Sequence, residues 1–125
     1  MPSFQDLVDS RKRWIDSELI PWCRSASLME LRKAAEEWGD IAGRVDPEFT
    51  LWLWAWSRFP VLFVEGLQGV DESYEVEVQT RDGNVHRGFP DARESRRGRL
   101  MLQGADGTVG PFSIDDVVAV NRCER

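Results

Sequence analysis

Apolar residues recur every third or fourth position through the first third of the chain. They recur every second position through much of the last half, and one nearly unbroken aromatic run lies between. The first pattern predicts helices and the second predicts strands. Residues 3–20 read as a first helix, with Ser3 as N-cap and Asp6 as its acidic partner. Phe4, Leu7, Val8, Trp14, Ile15 and Leu19 form its stripe, interrupted at Arg11, and Pro21 is expected to end it. Residues 27–45 read as a second helix: Ser27 and Glu30 form a capping box. Leu28, Leu31, Ala35, Trp38, Ala42 and Val45 make a narrow seam. Gly39 and Gly43 are read as its fraying end. Asp46, Pro47 and Glu48 have helix-start chemistry, so residues 47–58 are expected to be a third helix. Trp52, Trp54 and Trp56 alternate with Leu51, Leu53 and Ala55, so a strand competes there; the cap chemistry favours the helix. Val61, Leu62, Phe63 and Val64 are expected to form a short strand.

From Gly66 the texture changes. Residues 74–80 alternate as a half-buried strand, and Asp82-Gly83 supplies a hairpin turn into a strand starting at Val85. Residues 89–98 hold no pattern. Residues 99–103 form another strand, Gly104 to Gly107 another turn, and Thr108 and Val109 a return that Gly110-Pro111 is expected to end. Residues 112–116 read as a turn or 3₁₀ piece with Asp115 and Asp116 exposed, and residues 117–120 as a closing strand. The expected fold is therefore α+β: about three N-terminal helices in residues 1–66, packed on a five-stranded small β-barrel in residues 71–125. The two are expected to form one compact unit.

The barrel half resembles the SH3-like and Sm-like small barrels. The residues that carry this are Val76 and Val78 before Asp82-Gly83, Gly88 in the second strand, Leu100 and Leu102, and the segment from Ile114 to Val120. The resemblance covers residues 74–121 and implies a bent five-stranded sheet with a one-turn helix before the last strand. The binding functions of those families do not carry over. Asp91 is followed by Ala92-Arg93-Glu94-Ser95 without the asparagine of an Sm base site, and the Arg-Gly of the second RNA motif is missing near Ile114-Asp115. Only Tyr74, Phe89 and Phe112 could furnish the aromatics of an SH3 peptide groove.

Charge narrows the function classes. The net charge is −6, divided evenly, with 11 acidic and 8 basic residues on each side of position 70. That balance argues against a duplex-binding face. Residues 49–64 are too short, and too interrupted by Arg58 and Pro60, to span a bilayer, which needs about 20 apolar residues. The N-terminus lacks signal-peptide character. Cys23 and Cys123, far apart and outside any metal-ligand spacing, read as free thiols of a reducing compartment, and a cytoplasmic location is expected.

Candidate chemistry is sparse. No nucleophile elbow, zinc-protease motif or phosphate-binding loop is present, and no cofactor or metal is expected. His86, the single histidine, reads as an exposed strand residue; as a general base it would draw on Asp82 or Asp91. Asp115-Asp116 reads as a solvated turn rather than a metal site. Arg11, Lys12 and Arg13 read as a solvated face beside Asp6, Asp9 and Asp16. Two surfaces stand out as candidate interaction sites. One is Trp52, Trp54 and Trp56, in a stretch holding three of the six tryptophans and three of the six phenylalanines. The other is Arg87, Arg93, Arg96, Arg97 and Arg99, which give residues 87–99 a local charge of +3 in an acidic chain. The expected function is a non-enzymatic protein–protein interaction or assembly module, with a protein partner or self-association and no membrane. A nucleic-acid-associated barrel using the 87–99 arginines is the alternative.

Overall fold

Two of the α-helices begin where a side chain absorbs the orphan N–H groups of the first turn. In the computed structural model, which describes residues 3–123, Asp6 N–H donates to Ser3 Oγ and Ser3 N–H to Asp6 Oδ2, both at 3.1 Å, opening α1 (Phe4–Trp14). The side chains of Phe4 and Leu7 lie outside the described set. Pro21 does not end this helix. A π turn (Ile15–Leu19) follows α1 directly and leads into α2 (Ile20–Ser25), which contains the proline. Ile20 N–H reaches back to the carbonyl of Ile15, one residue further than in an α-helix. The wider turn accommodates a ring that would otherwise crowd the carbonyl four residues earlier.

The Ser27–Glu30 capping box starts α3 (Leu28–Glu36) as expected. The second helix is broken once, at Glu37, before α4 (Trp38–Ala42), and stops at Gly43, whose φ is +85°. Val45 lies beyond that stop and is exposed. Asp46 Oδ1 accepts Glu48 N–H at 2.9 Å and opens a 3₁₀ turn (Pro47–Phe49), after which Thr50 resets the chain into α5 (Leu51–Trp56). The helix reading of the aromatic run thus holds in shortened form.

The expected strand at residues 61–64 is a 3₁₀ turn (Pro60–Leu62). Leu62 is fully buried and its carbonyl accepts Asp71 N–H; the segment packs near edge-strand residues of the sheet without joining its ladder, and Pro60 turns it into a 3₁₀ turn instead.

The second half is a five-stranded antiparallel sheet: β1 (Val76–Thr80), β2 (Val85–Pro90), β3 (Arg99–Gly104), β4 (Gly107–Ser113) and β5 (Val117–Arg122), ordered β4-β3-β2-β1-β5. β4 does not stop at Gly110-Pro111. A register shift opposite Leu100 to Leu102 lets pairing resume at Leu100↔Phe112, and β4 is an edge strand, where a proline's missing donor costs little. β2 changes partner at Gly88. Val76 pairs with Gly88 and Phe89 with Gln103, and a Cβ on Gly88 would lie 2.8 Å from the Gln103 carbonyl oxygen. Among the described residues β4 and β5 do not pair with each other, so the sheet is open rather than closed into the expected barrel.

Both halves contribute to one core. Val76, Val78, Leu100, Leu102 and Ile114 from the sheet side join Leu31, Leu51, Trp52, Ala55 and Trp56 from the helices. Arg58 ties the helix ends together, its Nη2 donating to the carbonyls of Cys23 and Ala26 at 2.8 Å each. These are the orphan acceptors at the end of α2, where a cation is favoured. No described helix is long and apolar enough to cross a membrane.

Candidate interaction surface

The aromatic helix α5 points inward. Trp52 and Trp56 are 4% and 3% exposed, and Trp54 is half-buried with its ring edge-on to Trp38 at 6.0 Å. The expected tryptophan surface is therefore core on two of its three residues. Its physical reason lies in the loop after β2: Gly98 presses on Trp52 so closely that a Cβ there would sit 2.7 Å from the indole ring.

The uncovered tryptophans lie elsewhere. Trp14 and Trp22 remain 43% and 37% exposed, at the mouth of a groove of about 700 Å³ between the first helical segment and α3–α4. One wall presents Trp14, Glu18 and Trp22, with Leu19 at its base; the other presents Glu30, Ala34, Glu37 and Ile41. Trp38 forms the floor, held by a 2.9 Å hydrogen bond from its Nε1 to Thr50 Oγ1. The floor is thus apolar while the rim carries three glutamates and Lys33. Sequence reasoning missed this surface because Trp22 follows Pro21, read as a helix terminator; the available signal was the stripe continuing through the proline.

The arginines separate into different places. Arg87 forms an ion pair with Glu77, directly opposite it on β1. Arg96 and Arg97 line a second cleft of about 740 Å³, together with Arg32, Glu36, Asp46 and Glu48. Arg97 adopts φ +55°, and its N–H donates to Glu48 Oε1 at 3.3 Å. Desolvation in that cleft raises the Glu48 pKa above its ordinary value, against the pull of the arginines. Three bases face three acids there, so the cleft offers no net anion attraction. Arg93 and Arg99 are exposed, Arg99 on β3 opposite Ser113. The loop itself is tied down. Asp91 Oδ2 accepts Gln103 Nε2 at 2.7 Å, which holds the carboxyl below the usual range, and its Oδ1 accepts Glu94 N–H.

His86 is half-buried, with its ring 4.5 Å from that of Phe112 and its Nε2 3.5 Å from Thr80 Oγ1. The Thr80 hydroxyl is buried and bonded to Asp82, whose carboxyl it holds low. Asp91 is engaged with Gln103 instead. Asp115 also departs from expectation: it is not merely solvated, because its Oδ1 accepts Leu28 N–H at 2.8 Å and caps α3. Among the described residues no group of three or more histidine, cysteine, aspartate or glutamate side chains is placed to hold a metal ion.

Comparison with known proteins gives no matching family model, no similar curated protein and no similar solved structure.

Proposed function

We propose that this protein is a non-enzymatic binding module that works by protein–protein contact, with the tryptophan groove as its docking surface. One observation carries the reading: two large indoles stay in water at the mouth of a groove whose floor is already packed. Exposed indole forgoes the burial that stabilises the rest of the chain, and tryptophan is enriched among the few residues that dominate interface energies. A partner that covers Trp14 and Trp22 recovers that burial.

Peptides selected from a displayed library against the intact protein test this. Binders are expected to weaken about tenfold or more on Trp22→Ala, and to be indifferent to Arg96→Ala with Arg97→Ala. Binding that survives loss of both Trp14 and Trp22 would overturn the reading.

A second reading, nucleic-acid association through the 87–99 arginines, draws on Arg93 and Arg99, which are exposed. It expects affinity for a single-stranded oligonucleotide that falls steeply with salt. The neutral cleft at Arg96 and Arg97 and the Arg87–Glu77 pair weigh against it.

We further infer that the sheet is a variant of the SH3-like or Sm-like small barrel. Its strand order, the bend of β2 at Gly88 and the short turn before β5 support this. A cytoplasmic setting is supported by the two free thiols, one of them buried.

A further inference from the structure

We propose that the groove receives an amphipathic α-helix of a partner protein, with large apolar residues at i, i+3 or i+4 and i+7 and lysines or arginines flanking them. This rests on the protein-binding reading and names the kind of partner.

Three features of the groove select that occupant. First, both walls are helical and present a side chain at each turn: Trp14, Glu18 and Trp22 on one, Glu30, Ala34 and Ile41 on the other. Trp14 to Trp22 covers about two turns of one wall, and the other carries Glu30 and Ala34 on α3 and, past the break at Glu37, Ile41 on α4. A third helix laid between two others is ordinary bundle packing.

Second, the walls are helices and not sheet edges. An extended peptide gains its affinity from main-chain hydrogen bonds to a sheet edge, and helix walls supply none. A helix satisfies its own backbone and needs only an apolar trough.

Third, the rim is acidic, with Glu18, Glu30 and Glu37 against Lys33. Opposite charge on the partner's flanks is favoured, and like charge across an interface costs affinity. The same argument disfavours a second copy docking groove to groove, which would set these glutamates against their equals. It also disfavours an anionic membrane surface.

The test uses the intact protein and three labelled synthetic peptides, read by fluorescence anisotropy. One has leucines at helical spacing flanked by lysines; the second replaces the lysines with glutamates; the third has the composition of the first in a strictly alternating order. The leucine–lysine helix is expected to bind about tenfold or more tighter than the glutamate twin. Trp14→Ala with Trp22→Ala should abolish that binding, and Glu18→Lys with Glu37→Lys, which leaves the Ser27–Glu30 capping box intact, should invert the preference. Both indoles are exposed, so circular dichroism of the variants is expected to match the parent. Equal binding of the two charge twins, or binding indifferent to the indoles, overturns the proposal. If the alternating peptide binds as well and depends on the same indoles, the helical partner is lost while the protein-binding reading stands. If no peptide binds through the groove, both fall. A dimer in sedimentation velocity that Trp22→Ala dissociates places a second copy in the groove and also overturns the proposal.

Discussion

The Asp115 carboxylate accepts the backbone N–H of Leu28 at 2.8 Å across 87 positions of sequence. It stands just before β5, where the sheet's last turn meets the first turn of α3, so the sheet half supplies a cap to the helical half. Ser27 and Glu30 satisfy other donors at the same end. Asp115→Ala is therefore expected to cost about 1 kcal/mol, in the range of a lost helix cap, even though the local capping box remains. Urea unfolding should show a lower midpoint with an unchanged slope. An unaltered midpoint would mean that the contact adds nothing.

Gly98 and Gly39 should respond to alanine in opposite directions. At Gly98 the φ is +77°, and a Cβ would lie 2.5 Å from Leu28 Cδ1 and 2.7 Å from Trp52 Cζ3. Strained backbone and overpacking together predict a loss of about 1–3 kcal/mol. Gly39 sits inside α4 with nothing within 4 Å of its Cβ position. Gly39→Ala is expected to stabilise by up to about 1 kcal/mol through helix propensity. Thermal melts of the two variants would show shifts of opposite sign.

The tryptophans divide by role. Trp56, 3% exposed, is a core residue, and Trp56→Ala is expected to cost about 3–5 kcal/mol, a large fraction of the stability of a domain of this size. Trp14→Ala should cost far less, since much of that indole already meets water. Trp38→Phe keeps an aromatic ring but loses the pyrrole ring of a buried indole together with its hydrogen bond to Thr50, a loss of about 2–3 kcal/mol. Stability measured across the three variants gives the ranking directly; a severe loss from Trp14→Ala would contradict the exposed placement.

Burial pushes the Cys23 thiol up to about 12 from its usual 9.0, partly offset by Arg58. The folded protein thus holds this thiol protonated where the unfolded chain would ionise it. Its contribution to stability is complete below about pH 9 and declines as pH rises toward about 12. At pH 8 a thiol reagent should modify Cys123, which is half-buried, and leave Cys23 untouched until denaturant is added. Equal labelling of both in the folded state would show that Cys23 is accessible.

Local chemistry was legible wherever one short segment settles its own conformation. The Ser3–Asp6 and Ser27–Glu30 boxes, the Asp-Pro-Glu start at residues 46–48 and the Asp82-Gly83 turn all stand where their residue types place them. The errors arose where a local rule met a distant constraint. Pro21 is tolerated because a π turn makes room for it. Residues 61–64 have strand composition but do not join the sheet ladder, and Pro60 starts a 3₁₀ turn there. β4 runs through Gly110-Pro111 because β3 pairs with it again beyond the irregularity.

By itself, the sequence determined the two periodicities, the helix starts and the α+β character, because these depend on side chains within a turn or two of one another. Which tryptophans are core and which are surface was decided only by the tertiary structure. Trp52 and Trp56 carry the same indole as Trp14 and Trp22. They are buried because Gly98, Leu31 and the inner face of the sheet arrive from far along the chain, while nothing arrives to cover the groove between the first two helices. Burial is a property of what packs against a residue, and for this chain that information lies in contacts between its two halves.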